Sequence, residues 1–145
     1  MQEVKIRALV PDEYEEIVDL WTRAGLPIKT RGRESKKVLQ DQMLAAPDFF
    51  IGAEIEGRLV GVIIASSDGR KGYLNRVSVD PGCRGMGIAG LLTRAAEEAL
   101  NKRGIKVICL LIHRSNLASR ALAKKLGYLE HDDIVYLSKR GSEDD

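Results

Sequence analysis

Residues 77–90 read VSVDPGCRGMGIAG, and this stretch decides how the rest of the chain is interpreted. Its alternating valines predict the end of a strand, and Pro81-Gly82 predicts a tight turn. Three glycines then open a segment with helical periodicity. The first turn of a helix has unpaired amides and a partial positive charge, both of which favour an anion, and glycine leaves room for it. The stretch therefore predicts a cradle for a pyrophosphate, with Arg84 as a cation at its rim.

Upstream of this stretch, the spacing of apolar residues predicts a strand, two helices and three further strands. The first strand is expected over 4–10, and the helices over 11–25 and about 34–46. The three strands are expected over 49–55, 59–65 and 73–80. Only short turns join these three strands, so they are predicted to be antiparallel.

Downstream, the pattern predicts a long helix over 85–103, a strand over 107–112 and a short helix over 116–126. Two closing strands are expected near 129–131 and 134–139. The long helix makes a crossover, so the strands on either side of it are predicted to be parallel. The unbroken apolar run of 107–112 predicts a central strand that is covered on both faces. The fold class is mixed α/β (α+β), a mostly antiparallel sheet of about seven strands with four helices, in the order β-α-α-β-β-β-α-β-α-β-β.

Length and composition predict one domain over residues 1–140, followed by a disordered acidic tail over 141–145. Lys and Arg number 23 against 21 Asp and Glu, a balance that argues against a nucleic-acid or membrane partner. We expect no transmembrane segment and no signal peptide. Only two cysteines are present, which predicts a reducing, cytoplasmic location. His113 and His131 have no metal-ligand spacing with the cysteines, so no metal is expected.

The glycines allow two alternative interpretations. Gly85-x-Gly87-x-x-Gly90 also fits the dinucleotide-binding fingerprint. That fingerprint requires the strand to run straight into the first glycine, whereas residues 80–84 intervene here, and the next strand ends at Ile112-His113 without a carboxylate. The other alternative is a helix whose glycines are purely structural.

Two motifs resemble the GNAT superfamily of N-acetyltransferases. The first is Arg84-Gly85-Met86-Gly87-Ile88-Ala89 after the strand end, and the second is the run from Asn116 to Leu122 that closes at Leu126-Gly127-Tyr128. The order of strands and helices is similar to the family over essentially the whole chain. This resemblance implies an N-acetyltransferase that transfers the acetyl group of acetyl-CoA directly to a primary amine in a ternary complex. The acceptor stays open among a protein N-terminus, a lysine and a small-molecule amine, and a homodimer stays open too.

The resemblance also implies which residues bind acetyl-CoA. The backbone of Val77 and Val79 would pair with the pantetheine arm, and an amide in this part of the strand would polarise the acetyl carbonyl. Asn116 would contact the cofactor from the second motif. The expected cofactor-binding residues are Val77, Ser78, Val79, Arg84, Gly85, Met86, Gly87, Ile88, Ala89, Gly90 and Asn116.

The sequence departs from the family at the positions that usually supply the acid and the base. Ala123 occupies the place of a common tyrosine acid, and Leu111 occupies the place of a common carboxylate base. Tyr128 and Tyr136 were considered as substitute acids, but a dedicated acid is not expected. The catalytic residues are left unassigned, with Asp68, Tyr73 and Glu54 as weak candidates for the base. These departures motivate an alternative, a non-catalytic acyl-CoA-binding or regulatory module of the same fold.

A basic cluster over residues 31–37 lies between the first two predicted helices. In the family this region shapes the mouth of the acceptor site, so the cluster is a candidate for attracting a carboxylate-bearing substrate. A solvated loop with polar groups at a helix start explains the same residues.

Overall fold

A computed structural model describes residues 2–145, and its sheet has five strands in the order β1-β2-β3-β4-β5. The pairs β1–β2, β2–β3 and β3–β4 are antiparallel, whereas the pair β4–β5 is parallel. This mixed topology is the one that short turns and a long crossover helix predict. The strands are β1 Lys5–Ala8, β2 Phe50–Ile55, β3 Arg58–Ser67, β4 Lys71–Val79 and β5 Val107–Leu110.

Four helices accompany the sheet, as predicted: α1 Tyr14–Ala24, α2 Lys36–Ala45, α3 Ile88–Lys102 and α4 Leu117–Lys125. Local chemistry sets their ends. Gly25 ends α1 in the left-handed conformation, at φ 80°. The Ser35 hydroxyl accepts a hydrogen bond from the Val38 amide at the start of α2.

The core lies where the central strands meet the helices. Trp21 of α1 and Leu92 of α3 are fully buried, and every residue of β3 from Leu59 to Ala65 is buried. Glycine lets α3 approach the sheet closely: a Cβ at Gly61 would lie 3.0 Å from both Ile88 and Leu92. No helix within residues 2–145 has the length and apolar character needed to span a bilayer.

The expectation of about seven strands was wrong. Residues 129–131 and 134–139 form no strand in the structure, and no backbone hydrogen bond is found for them among residues 2–145. Alternating apolar residues supply only the propensity of a strand, and a strand also needs a partner edge. The expectation that residues 107–112 form a covered central strand was also wrong, because β5 lies at the sheet edge and none of its residues is buried.

Two further details of the helices differ from the expectation. Gly85 and Gly87 adopt positive φ values of 84° and 77°, so α3 begins at Ile88 rather than at residue 85. The helix α2 spans Lys36–Ala45 and is therefore shorter than the expected 34–46. The division into a domain over 1–140 and a disordered tail over 141–145, and the cytoplasmic location, stay predictions.

Candidate functional site

The turn between β4 and α3 is fixed by Asp80. Its Oδ1 accepts a hydrogen bond of 2.8 Å from the Gly82 amide, and its Oδ2 accepts one of 3.1 Å from Arg23 of α1. The Gly82 amide and, after it, Arg23 hold the pKa of Asp80 below its ordinary value. The carboxylate therefore stays ionised and holds the turn of Pro81–Cys83 against α1.

Unpaired amides and open space follow this turn. The first hydrogen bond of α3 runs from the Leu91 amide to the Gly87 oxygen. Among the described residues 2–145, no acceptor is bonded to the amides of residues 84–90. A Cβ placed on Gly85 or Gly87 would meet no atom within 4 Å. A row of free N–H groups at a helix start, facing empty space, is a site for an anion.

The strands β4 and β5 part beside this turn. Their parallel pairing covers Lys71–Leu74 of β4 and stops at the pair Leu74 and Leu110. The β5-facing edge of residues 75–79 is therefore without a strand partner within residues 2–145, although the other edge pairs with β3. An extended ligand arm can add to such an edge through main-chain hydrogen bonds.

A bulge interrupts β4 at the point where the strands part. The β3–β4 register shifts between Val62 and Ile64, and Arg76 takes a φ of 57°. This conformation is uncommon for a residue with a side chain, and bulges of this kind redirect the groups of a strand. Arg76 and Val77 together lie opposite Ile63 of β3, so the bulge includes Val77.

A cavity of about 510 Å³ adjoins the bulge, between the strands and α2. The Arg76 guanidinium lies 4.4 Å from the centre of the Trp21 ring, and its Nη1 donates to the Pro27 oxygen at 2.7 Å. Burial lowers the pKa of Arg76. Its Nε and Nη2 are buried and have no hydrogen-bond partner within residues 2–145. The lining of this cavity includes Trp21, Glu34, Ser66, Asn75 and Arg76.

The basic cluster of residues 31–37 folds around one buried carboxylate, that of Glu34. Glu34 Oε1 accepts from the Lys29 amide at 2.9 Å, and Oε2 lies 3.1 Å from Arg33 Nε. The Arg76 Nη1 lies 3.9 Å from the same carboxylate. Part of the cluster's positive charge is therefore balanced inside the protein.

The three candidates for the base lie in different places. The Asp68 carboxylate accepts from the Arg70 and Lys71 amides, each at 2.9 Å, and these bonds lower its pKa. Glu54 of β2 is paired with Arg7 at 2.7 Å, near the opposite edge of the sheet. Asp68 is thus held in a turn, and Glu54 is held in an ion pair. Neither carboxylate lies at the bulge.

Tyr73 is the one of the three that lies on β4 itself, where it pairs with Ser66 of β3 and Cys109 of β5. It is half-buried and two residues from Asn75, which lines the cavity. Of the three candidates for the base, Tyr73 is therefore the one that shares a strand with the bulge at Arg76.

The remaining positions from the sequence follow β5 in the chain. Asn116 caps α4, where its side chain accepts from the Ser119 amide at 3.1 Å. Leu111 is exposed after β5. The Tyr128 hydroxyl donates to Glu97 at 2.6 Å, and burial, followed by this carboxylate, raises its pKa. Tyr136 is exposed.

Sequence reasoning missed Arg76, Trp21 and Glu34. Arg76 occupies a position in a strand that no motif marks. No group of metal-ligating side chains is assembled within residues 2–145. The expectation of a metal-free site stays a prediction.

Comparisons with known proteins agree with this geometry. The model of the acetyltransferase (GNAT) family matches residues 13–128. Acetyltransferase plu1384 of Photorhabdus laumondii is 33% identical over 138 residues, which cover 94% of this chain and 95% of that protein. Acetyltransferase SG1711 of Sodalis glossinidius is 33% identical over 141 residues, with coverages of 97% and 98%. Among solved structures, the PaiA N-acetyltransferase of Thermoplasma acidophilum in complex with coenzyme A superposes with a TM-score of 0.77, at 25% identity, over 90% of this chain and 92% of that one.

Proposed function

Because the chain belongs to the acetyltransferase (GNAT) family and is an acetyl-CoA-dependent N-acetyltransferase, we propose that it transfers acetyl directly from the thioester to a primary amine in a ternary complex. The observation that carries the proposal is the row of unpaired amides at residues 84–90 in front of open space. Bound acetyl-CoA supplies an activated thioester, and the chain positions the two reactants.

The residues present fit that cofactor. The amides of residues 84–90 are without acceptors, the space beside Gly85 and Gly87 is open to a pyrophosphate, and Arg84 adds a positive charge to this segment. The free edge of residues 75–79 offers the main-chain groups of Val77 and Val79 to the pantetheine arm. An amide beside the bulge donates to the acetyl carbonyl oxygen as negative charge develops there.

The cavity beside Arg76 is our proposed entry for the acceptor amine. It reaches the bulge through Asn75 and Arg76, on the strand that carries the proposed oxyanion donor. The thiol of the leaving cofactor has a pKa of ~8.5, so it departs as a fairly stable anion without a dedicated acid. The amine must lose its proton first. At pH 7 this requires about 1.4 kcal/mol for an α-amine of pKa ~8 and about 4.6 kcal/mol for a lysine.

The phosphate assignment is tested by Gly87→Glu with Gly57→Glu as its matched control. Both glycines have nearly the same φ, 77° and 78°, and neither would place a Cβ within 4 Å of another atom. The two variants therefore carry a similar backbone penalty, and only Gly87→Glu places a negative charge in the proposed cradle. Calorimetry should show CoA affinity reduced roughly 100-fold or more in Gly87→Glu and unchanged in Gly57→Glu.

Turnover is tested separately, by thiol release from acetyl-CoA across a panel of amines that includes peptide N-termini, lysine peptides and small amines. We expect that amines of one class stimulate the release of the thiol and that the other classes do not. Tight CoA binding without release on any amine would favour the alternative of a non-catalytic acyl-CoA-binding module. Unchanged CoA affinity in Gly87→Glu would instead refute the placement of the pyrophosphate.

A further inference from the structure

Three buried hydrogen-bond donors without partners meet in the wall of the cavity beside the bulge. They are Trp21 Nε1 and the Nε and Nη2 atoms of Arg76, whose guanidinium lies 4.4 Å from the centre of the indole ring. Among residues 2–145, one other buried side-chain polar atom is without a partner, the hydroxyl oxygen of Ser78. A buried donor without an acceptor is costly, so three of them at one place indicate that an acceptor group belongs there.

The cavity is lined by more positive than negative side chains. Within residues 2–145 its charged lining consists of Arg33, Glu34, Arg76 and Arg103. The Glu34 carboxylate lies 3.1 Å from Arg33 Nε and 3.9 Å from Arg76 Nη1, so it pairs more closely with Arg33. Arg103 donates to Asp48, at 3.2 Å from its Nε. Arg76 is therefore the arginine of the lining with the most distant carboxylate partner.

We propose that the acceptor amine also carries a carboxylate, and that Arg76 binds this carboxylate. The assignment deepens the acetyl transfer proposed above and rests on it. Arginine and tryptophan side chains donate hydrogen bonds and cannot accept them, so the group that satisfies them must supply acceptor oxygens. Nε and Nη2 form one edge of the guanidinium, and this edge matches the two oxygens of a carboxylate. A carboxylate also balances the charge of Arg76.

The rest of the lining selects the body of the acceptor. The cavity has a volume of about 510 Å³, which suits a small molecule, and its apolar walls include Leu39, Phe49, Phe50 and Ile64. An amino acid with an apolar side chain has the amine, the carboxylate and the body that this lining fits. A polyamine would meet repulsion, because the one carboxylate of the described lining, Glu34, is already paired. A peptide N-terminus has no carboxylate beside its amine.

Binding of a carboxylate at Arg76 should have an optical signature. The three donors are buried, although the Arg76 side chain as a whole is 20% exposed. The guanidinium must therefore turn away from the indole ring to meet the carboxylate. Trp21 is the single tryptophan of the chain, so its fluorescence reports this motion without any acetyl transfer.

A fluorescence titration tests the carboxylate directly. The ligands are leucine and phenylalanine, each compared with its carboxamide, in which a neutral group of similar shape replaces the carboxylate. With and without CoA, the emission of Trp21 should change saturably with at least one of the amino acids. The matching carboxamide should bind roughly 10- to 100-fold more weakly. Equal binding of amino acid and carboxamide, or no response to either amino acid, would overturn the proposal and leave buried water as the partner of the donors.

Variants of Arg76 test the same assignment through turnover. Arg76→Gln should raise KM for the amino acid roughly 10- to 100-fold with little change in kcat, and should remove the preference over the carboxamide. Arg76→Lys keeps the charge without the two-pronged edge and should recover part of the preference. Arg103→Gln is the matched control, because Arg103 also lies over an aromatic ring, that of Phe49 at 4.1 Å, but is paired with Asp48. Its KM for the amino acid should stay near the wild-type value.

The chemistry of the amine does not produce the expected preference by itself. A neighbouring carboxylate stabilises the protonated amine, so the carboxamide loses its proton more easily and is the better nucleophile at neutral pH. A preference for the amino acid must therefore come from the site. Acetyl transfer to polyamines or lysine peptides in preference to amino acids would refute the substrate class and leave the acetyltransferase intact. A fluorescence response specific for the carboxylate, without thiol release on any amine, would support the carboxylate site and refute the proposed turnover.

Discussion

The middle of the sheet and its β5 edge are built from similar residues with different results. β3 is apolar and buried from Leu59 to Ala65, with a strand on each side and helices over its faces. β5 is equally apolar, yet none of its residues is buried and one of its edges is open. Whether a strand is buried therefore depends on the strands at its two edges and on the elements that cover its two faces. An apolar sequence alone does not make a strand buried.

The largest difference between the two regions should appear when the same side chain is truncated in each. Leu92→Ala in α3 removes a fully buried side chain and should lower the free energy of unfolding by about 3 kcal/mol. Leu117→Ala in α4 removes a side chain that is 70% exposed, and should change it by less than about 0.5 kcal/mol. Urea denaturation measures both. Equal losses would show that the last third of the chain is as tightly packed as the centre.

Hydrogen exchange sharpens the same contrast without a mutation. The amides of β3 should exchange only through global unfolding, because that strand is covered on every side. The amides of α4 should exchange at least about 10-fold faster through local opening, since no residue of that helix is buried. Mass spectrometry of peptides from the two segments measures the difference. Similar protection of the two segments would contradict the contrast between the regions.

A smaller effect should separate an ion pair at β1 from one in the C-terminal part of the chain as the pH falls. Arg7 donates two hydrogen bonds to Glu13, at 2.9 and 2.7 Å, and chiefly through these bonds holds the pKa of Glu13 below its ordinary value. A lowered folded-state pKa stabilises the protein above the unfolded value of ~4.5, and this stabilisation is lost as the pH falls through the folded-state pKa. Glu13→Gln should therefore destabilise by about 1 to 2 kcal/mol at neutral pH, and the gap to wild type should narrow as the pH falls below the ordinary pKa of a glutamate and through the lowered pKa of Glu13.

The matched pair is Glu130 with Arg120 in the C-terminal region, at 2.7 Å. Arg120 lowers the pKa of Glu130 in the same direction, but that carboxylate is exposed. Glu130→Gln should have a smaller effect, which added salt removes. A salt-insensitive effect of similar size in both variants would contradict the contrast between the regions.

The sequence was sufficient wherever a local requirement decides the structure. Positive φ values at Gly25, Gly85 and Gly87 fall where glycine was expected to end a helix or open a cradle. The antiparallel and parallel pairings also follow from the lengths of the connections, which the sequence shows directly.

The sequence was insufficient wherever the outcome depends on a distant neighbour. The run of apolar residues at 134–137 predicts a strand but does not state which edge it joins. The bulge at Arg76 places an arginine at φ 57°, and no local pattern marks that position. The same holds for Glu34, whose buried position depends on Lys29, Arg33 and Arg76 around it.

The network centred on Asp80 shapes the turn before α3 in the absence of any ligand. One carboxylate holds the turn to α1 through Arg23 and also lies 3.9 Å from Arg58 of β3. If a phosphate docks there as proposed, little conformational entropy would be lost, because the protein's own interactions already fix the turn. The proposed receptor would then keep the same geometry after the spent thiol carrier leaves.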